Sequence, residues 1–186
     1  RKQTVAPKVL NLNGVVAGIL LILKRLVGEA VELAWTPEAE LWSVKADPAH
    51  IEQILTNLCI SARDDIVDVG KITLATENVV LEDVELAESA GVALGEYVRI
   101  VVGGDGCGAG KENLAHLFEP VFASQEADKG TSLGLVAVYG ILKQNNGFIT
   151  VHGGPGQGKT FKIHLPRLSV HAAQSQEAPN IGASEE

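Results

Sequence analysis

The chain has 186 residues, 46% hydrophobic and 20% charged, enough for one folded domain with a sizeable core. Its formal net charge of −8 argues against nucleic acid or an anionic membrane as the main partner, since neither attracts an acidic surface. The longest apolar run, Val15 to Leu23, is too short to span a bilayer and stops at Lys24-Arg25. No signal peptide is read in the opening Arg1-Lys2-Gln3, so a cytoplasmic location is expected, and a start without Met suggests a piece of a longer protein. Cys59 and Cys107 have no metal-ligand spacing, and a reducing compartment accounts for them.

In chain order, residues 13–27 read as an apolar helix with Asn13 at its N-cap and Gly28 as its stop. Val31 to Trp35 and Leu41 to Ala46 read as two strands joined by a turn at Pro37-Glu38. Asp47-Pro48 then opens a helix, with Asp as the cap and Pro at the first position. There Ile51, Ile54, Leu55, Leu58 and Ala62 recur at helical spacing and predict one buried face. Further strands are expected at Lys71–Asn78, Tyr97–Val102, Phe148–His152 and Thr160–Leu165, and a helix over Leu133–Gln144. The acidic, Ala-rich segment Val79–Glu96 reads as an excursion between two paired strands. From Ser169 onward the composition predicts a disordered tail, leaving 1–168 as the domain. The pattern predicts an α+β two-layer sandwich, a mixed sheet covered by helices on one face.

Two glycine-rich stretches punctuate the second half, Gly103-Gly104-Asp105-Gly106-Cys107-Gly108-Ala109-Gly110 and Gly130-Thr131-Ser132-Leu133-Gly134-Leu135. The first follows a strand and the second enters a helix, where backbone N–H groups can approach a phosphate; both also suit ordinary tight turns. On the helix after Asp47, Asn57, Ser61 and Asp64 form a polar stripe opposite the apolar face, which a merely solvated helix side would also explain.

The order of these motifs resembles one known family. Residues 47–66, with Asn57-Leu58-Cys59-Ile60-Ser61-Ala62-Arg63-Asp64-Asp65, resemble the N box of sensor histidine kinases. Val102 to Gly108 looks like their G1 box, Leu117-Phe118-Glu119-Pro120-Val121-Phe122 their F box, and Gly130 to Leu135 their G2 box. Pro155-Gly156-Gln157-Gly158-Lys159-Thr160-Phe161 and Leu165-Pro166 fit the family's last hairpin. The resemblance covers roughly residues 7–167 and is nearest to the ATP-binding domains of PAS-type and hybrid kinases, members of the GHKL superfamily.

The resemblance implies a Bergerat-type sandwich that binds ATP with Mg²⁺ between the N-box helix and a lid from about Gly106 to Ser132. It implies catalytic and Mg²⁺-binding roles for Asn57 and Ser61. It implies nucleotide contacts from these two and from Asp64, Gly104, Asp105, Gly106, Gly108, Lys129, Gly130, Thr131, Ser132, Leu133 and Gly134. The implied partners are a dimerisation domain of the same kinase, which carries the phosphoacceptor histidine, and a response regulator downstream. None of His50, His116, His152, His164 or His171 sits in the phosphoacceptor motif, so the chain alone would not autophosphorylate.

Several ligand positions depart from the family pattern. Ser61 stands where the second N-box Asn offers its amide oxygen to Mg²⁺. Keeping Gly106 and Gly108 in register puts Gly104 at the adenine-binding Asp, with Asp105 one step along and aimed elsewhere. The middle glycine of the G2 box is Ser132, which would be strained if that position needs positive φ. Gln125 stands where a lid lysine is usual, with Lys129 as a substitute. Losing one charge-assisted hydrogen bond costs about 1.5–3 kcal/mol, so weakened nucleotide binding is expected. Three functions follow: a histidine-kinase catalytic domain, a pseudokinase-like regulatory module with little ATP binding, or a GHKL ATPase. The last wants a water-activating Glu where Asn57 stands.

Overall fold

The computed structural model describes residues 6–105, 130–153 and 158–169. In chain order these form β1 (Lys8–Leu10), α1 (Leu12–Val27), β2 (Val31–Thr36), β3 (Val44–Ala46), α2 (Pro48–Asp64) and β4 (Gly70–Leu81). There follow α3 (Val84–Ala90), β5 (Gly95–Gly104), α4 (Gly130–Gln144), β6 (Phe148–His152) and β7 (Thr160–Pro166). The main sheet has the order β2-β4-β5-β7-β6, with β2 parallel to β4 and every other pair antiparallel. The expected lid as far as Lys129, the F box, the tail beyond 169, Cys107, His116, His171 and Gln125 lie outside the described residues.

Alternation along the strands sets two faces. Val98, Ile100 and Val102 of β5, with Phe161, Ile163 and Leu165 of β7, join one core with Leu12, Val16 and Leu23 of α1 and Leu55 and Leu58 of α2. Leu135, Val138 and Leu142 of α4 complete it, so the three long helices share one face as expected. The short α3 is the exception. Its Ala87 packs with Leu81, Tyr97 and Phe148, residues of opposite strand parity, and so covers the other face at one end. Asp83 caps it, accepting from the Leu86 amide at 3.1 Å, and Gly91 ends it at φ +70°.

Two expectations are corrected. Asn11, not Asn13, caps α1, its side chain accepting from the Asn13 amide at 2.9 Å. Asn13 serves a longer tie: its Nδ2 donates to the Glu38 carbonyl at 2.8 Å, and its Oδ1 accepts from Thr76 Oγ1 at 2.6 Å. The second correction follows from this tie. The backbone between β2 and β3 is held by side chains, with Thr76 and Asn78 accepting from Glu38 and Trp42. β2 and β3 therefore form no hairpin: β2 pairs with β4, and β3 with the unforeseen β1.

On the outer face, Arg99 pairs with Glu77, and His164 stacks on Phe148 at 4.2 Å between ring centroids. Burial, and then the Arg99 charge, pull the His164 imidazole down from 6.5 to about 4. The folded protein holds His164 neutral where the unfolded chain would protonate it. Stability from this residue is full above pH 6.5 and is lost as pH falls towards 4, by about 3 kcal/mol. Urea denaturation at pH 7 and 4.5 should show a smaller pH loss for His164→Phe than for the unaltered chain; equal losses would refute the assignment.

Candidate nucleotide-binding site

The site grows from α2. Asp47 fixes where it begins, accepting from the amides of Ala49 at 2.9 Å and Ala6 at 3.0 Å. The backbone donors of Ala6 and Ala49 hold its carboxyl below the ordinary range. Ile51, Ile54, Leu55, Leu58 and Ala62 are buried as the spacing predicts, which fixes the rotation of the helix. Cys59 is buried among them, and burial pushes its thiol up to about 12, so it is an inert core residue.

That rotation separates the predicted polar stripe. Asn57 is half-buried and its Nδ2 donates to the Gly134 carbonyl in the first turns of α4, at 3.2 Å. Asp64 is exposed. Ser61 is only 3% exposed, so the stripe is not a solvated face at its centre. The reason is Lys159, which enters from the start of β7 and donates to Ser61 Oγ at 3.2 Å. The same ammonium pairs with Asp65 Oδ2 at 2.7 Å. Lys159 is 5% exposed, the only Lys or Arg buried among the described residues.

The strand ends complete the corner. Inward parity on β5 continues from Val102 to Gly104, and a Cβ built at Gly104 would lie 3.3 Å from the Ala62 Cβ on α2. Position 104 therefore faces α2. Asp105 faces elsewhere, its Oδ1 accepting from the Lys71 amide at 2.8 Å and its own amide donating to the Lys71 carbonyl at 3.1 Å. Gly104 also donates to the Lys159 carbonyl at 2.9 Å. Gly158, at φ +43°, lies so close that an added Cβ would fall 1.8 Å from the Gly104 oxygen. Only glycine permits this approach, and it is what carries Lys159 over Ser61.

Of the remaining candidates, Gly130, Thr131, Ser132 and Leu133 lie in the first turn of α4, and Gly134 follows beside Asn57. Ser132 is in a helical run, so the positive-φ condition raised for it is not met. Gly106, Gly108 and Lys129 lie outside the described residues. Sequence reasoning missed Asp65 and Lys159 as site residues. The one available signal was their charge, Asp65 doubling Asp64 and Lys159 standing between Gly158 and Thr160.

Mg²⁺ wants several hard oxygen ligands in near-octahedral geometry. Asn57 fits, because its amide nitrogen is the atom spent on Gly134 and Oδ1 is left as an acceptor. Ser61 does not fit, since a divalent cation would share its hydroxyl with the Lys159 ammonium. Among the described residues no group of three or more His, Cys, Asp or Glu side chains is placed to hold a metal.

Residues 46–169 match the family described as histidine kinase-, DNA gyrase B-, and HSP90-like ATPase, and the chain belongs to that family. It is 41% identical over 179 residues to the sensor kinase CckA of Brucella abortus (strain 2308), covering 96% of this chain and 19% of that protein. It is 32% identical over 157 residues to the sensor histidine kinase ZraS of Klebsiella oxytoca, covering 84% of this chain and 30% of the relative. The chain thus spans less than a third of either. Among solved structures, full-length ShkA in complex with AMPPNP superposes with a TM-score of 0.66 at 23% identity, covering 91% of this chain and 32% of that one. The mycobacterial sensor histidine kinase MprB gives 0.63 at 18% identity, covering 88% of this chain and 98% of that one. At such identities these two establish the fold alone. The family match and the sensor-kinase relatives make this a histidine-kinase-type ATP-binding catalytic domain. No helix among the described residues is long and apolar enough to cross a membrane.

Breaking a buried ion pair is worse than removing it whole, because the surviving charge is left unpaired. Lys159→Met should destabilise the domain by about 2–3 kcal/mol, less than a fully buried pair because Asp65 is 28% exposed. Adding Asp65→Asn should restore most of that loss. Urea denaturation of the three proteins measures it; a double variant as unstable as the single would contradict the pairing.

Proposed function

We propose that the chain is the catalytic domain of a two-component sensor histidine kinase and holds ATP between α2, the start of α4 and the ends of β5 and β7. The observation that carries this reading is the hydrogen bond from Asn57 to Gly134, which ties the polar edge of α2 to the glycine-rich first turns of α4. The helix N-terminus there supplies N–H groups and a positive dipole end for a triphosphate. Asn57, Ser61, Asp64, Gly104, Gly106, Gly108 and Gly130 to Gly134 frame the nucleotide in this proposal, with Lys129 as its lid cation. Asp105 is assigned to holding the end of β5 against Lys71 of β4 instead, and Mg²⁺ is assigned to Asn57 and the phosphates.

The chemistry is positional, as in phosphoryl transfer generally. The bond from the γ-phosphorus to the bridging oxygen breaks as a bond forms to an imidazole nitrogen, and ADP departs. We assign that histidine to a separate dimerisation domain, and the phosphoryl group then passes to a response regulator. His50 lies in the first turn of α2, and His152 and His164 lie on the outer strand parity, so none of them neighbours Asn57. The AMPPNP named with ShkA supports a nucleotide as the ligand of this fold. The similarity to CckA and ZraS supports the kinase reading, and a cytoplasmic site of action follows from it.

A second reading, a pseudokinase-like regulatory module, is favoured by the Lys159 ammonium on Ser61. Calorimetry separates the two. The catalytic reading expects ATP binding in the sub-millimolar range, strengthened by Mg²⁺ by less than about tenfold because Ser61 contributes no metal ligand. Asn57→Ala should weaken binding about tenfold or more. No binding at millimolar ATP, by a chain that still unfolds cooperatively, would favour the regulatory module.

A further inference from the structure

α1 is apolar on both of its faces. Leu12, Val16, Ile19, Leu23 and Val27 bury one stripe in the core. On the opposite side Leu21 and Ile22 are 64% and 61% exposed, with Gly14, Ala17 and Gly18 open beside them. A Cβ added at Gly14 or Gly18 would meet no atom within 4 Å. A helix that is apolar all round is ordinarily covered all round, and this one is covered on one side only. Charge marks the two ends of the same face. α1 contains no acidic residue and finishes on Lys24 and Arg25, both exposed. At its other end, the bond from Asn13 Nδ2 to the Glu38 carbonyl brings the exposed Glu38 and Glu40 beside the first turn. Among the described residues none of these four charges has an ion-pair partner. Lys24 lies eleven residues beyond Asn13, about three helical turns, and so on the flank of α1 that Glu38 touches.

We propose that this face of α1 pairs with the same face of a second copy of the chain, the two helices antiparallel about a twofold axis. A twofold contact must be complementary to itself. Pairing centred between Ala17 and Gly18 meets that condition, because Leu21 of each copy then falls opposite Gly14 of the other. The small residues let the helices approach closely, and Ile22 flanks the seam. The same axis brings Lys24 and Arg25 of each copy to Glu38 and Glu40 of the other. A parallel pair would instead set each charge beside its own kind, which is unfavourable. The exposed face is about 24 Å long and 10 Å wide, well short of the roughly 800 Å² per partner of a standard interface. A dissociation constant of about 0.1–1 mM is therefore expected. α2 packs between α1 and α4, so pairing through α1 leaves Asn57 and Gly134 uncovered.

Sedimentation equilibrium of the chain from about 0.02 to 2 mM, at about 0.15 M salt, reads the pairing. The unaltered chain should pass from monomer to dimer across that range and go no further, since a twofold contact closes on itself. Leu21→Glu should remove the dimer. Lys24→Glu with Arg25→Glu should be monomeric by itself, and so should Glu38→Lys with Glu40→Lys. Mixing these two double variants should restore a dimer within about threefold of the unaltered affinity, because opposite charges then meet at both ends. Every altered residue is exposed, and cooperative urea unfolding checks that each variant is folded. An unaltered chain still monomeric at about 2 mM would overturn the proposal and assign the face to a different partner. A dimer that survives Leu21→Glu forms through another surface and would overturn it equally. A mixture that stays monomeric while the unaltered chain pairs would overturn the antiparallel arrangement.

Discussion

A single buried ammonium joins three of the four elements that frame the candidate site, α2, β5 and β7. Lys159 leaves the start of β7, crosses to α2, and meets Ser61 and Asp65 one helical turn apart. An unpaired ammonium in that position would be strongly unfavourable, so Asp65 must stay beside it and the last turn of α2 is pinned to the sheet. On the strand side, the same segment is held against β5 by the Gly104–Lys159 hydrogen bond and by the close approach of Gly158. The rotation of α2, set by Leu55, Leu58 and Ala62 in the core, then decides that Asn57 faces α4 while Asp64 faces water.

The two ends of the corner differ in their chemistry. At the Asn57 end the polar groups are an amide and the start of a helix, neutral groups whose dipoles suit negative charge. At the Asp65 end there is an ion pair, compact and nearly closed to solvent. Gly104 and the Lys159–Asp65 pair belong to the same patch of structure, beside Ala62.

Much of the fold was legible in the residues because local signals and burial agree there. Asp47-Pro48 started α2, Gly28 ended α1, and the span of β6 is as read. What escaped was set by contacts distant in sequence. Asn13 reads as a cap, yet its side chain is engaged by Glu38 and by Thr76, 63 residues away. β1 has three residues and no alternation to announce it, and it exists because β3 lies beside it. Ser61 reads as solvated because its burial comes from Lys159, 98 residues on. The register that puts Gly104, not Asp105, towards α2 was legible, since strand parity from Val98 through Val102 decides it. The roles of Asp65 and Lys159 were not, because each alone is an ordinary surface residue type.

The account stands on a nucleotide lying along α2 from Asn57 to Asp65. Amide chemical-shift mapping by NMR during titration with a non-hydrolysable ATP analogue tests this most directly. The largest changes should fall on Asn57, Ser61, Asp65, Gly104, Gly134 and Lys159, with the outer face around Arg99 and Phe148 unmoved. Saturable changes centred on that outer face, or on α1, with the α2 amides unshifted, would contradict it.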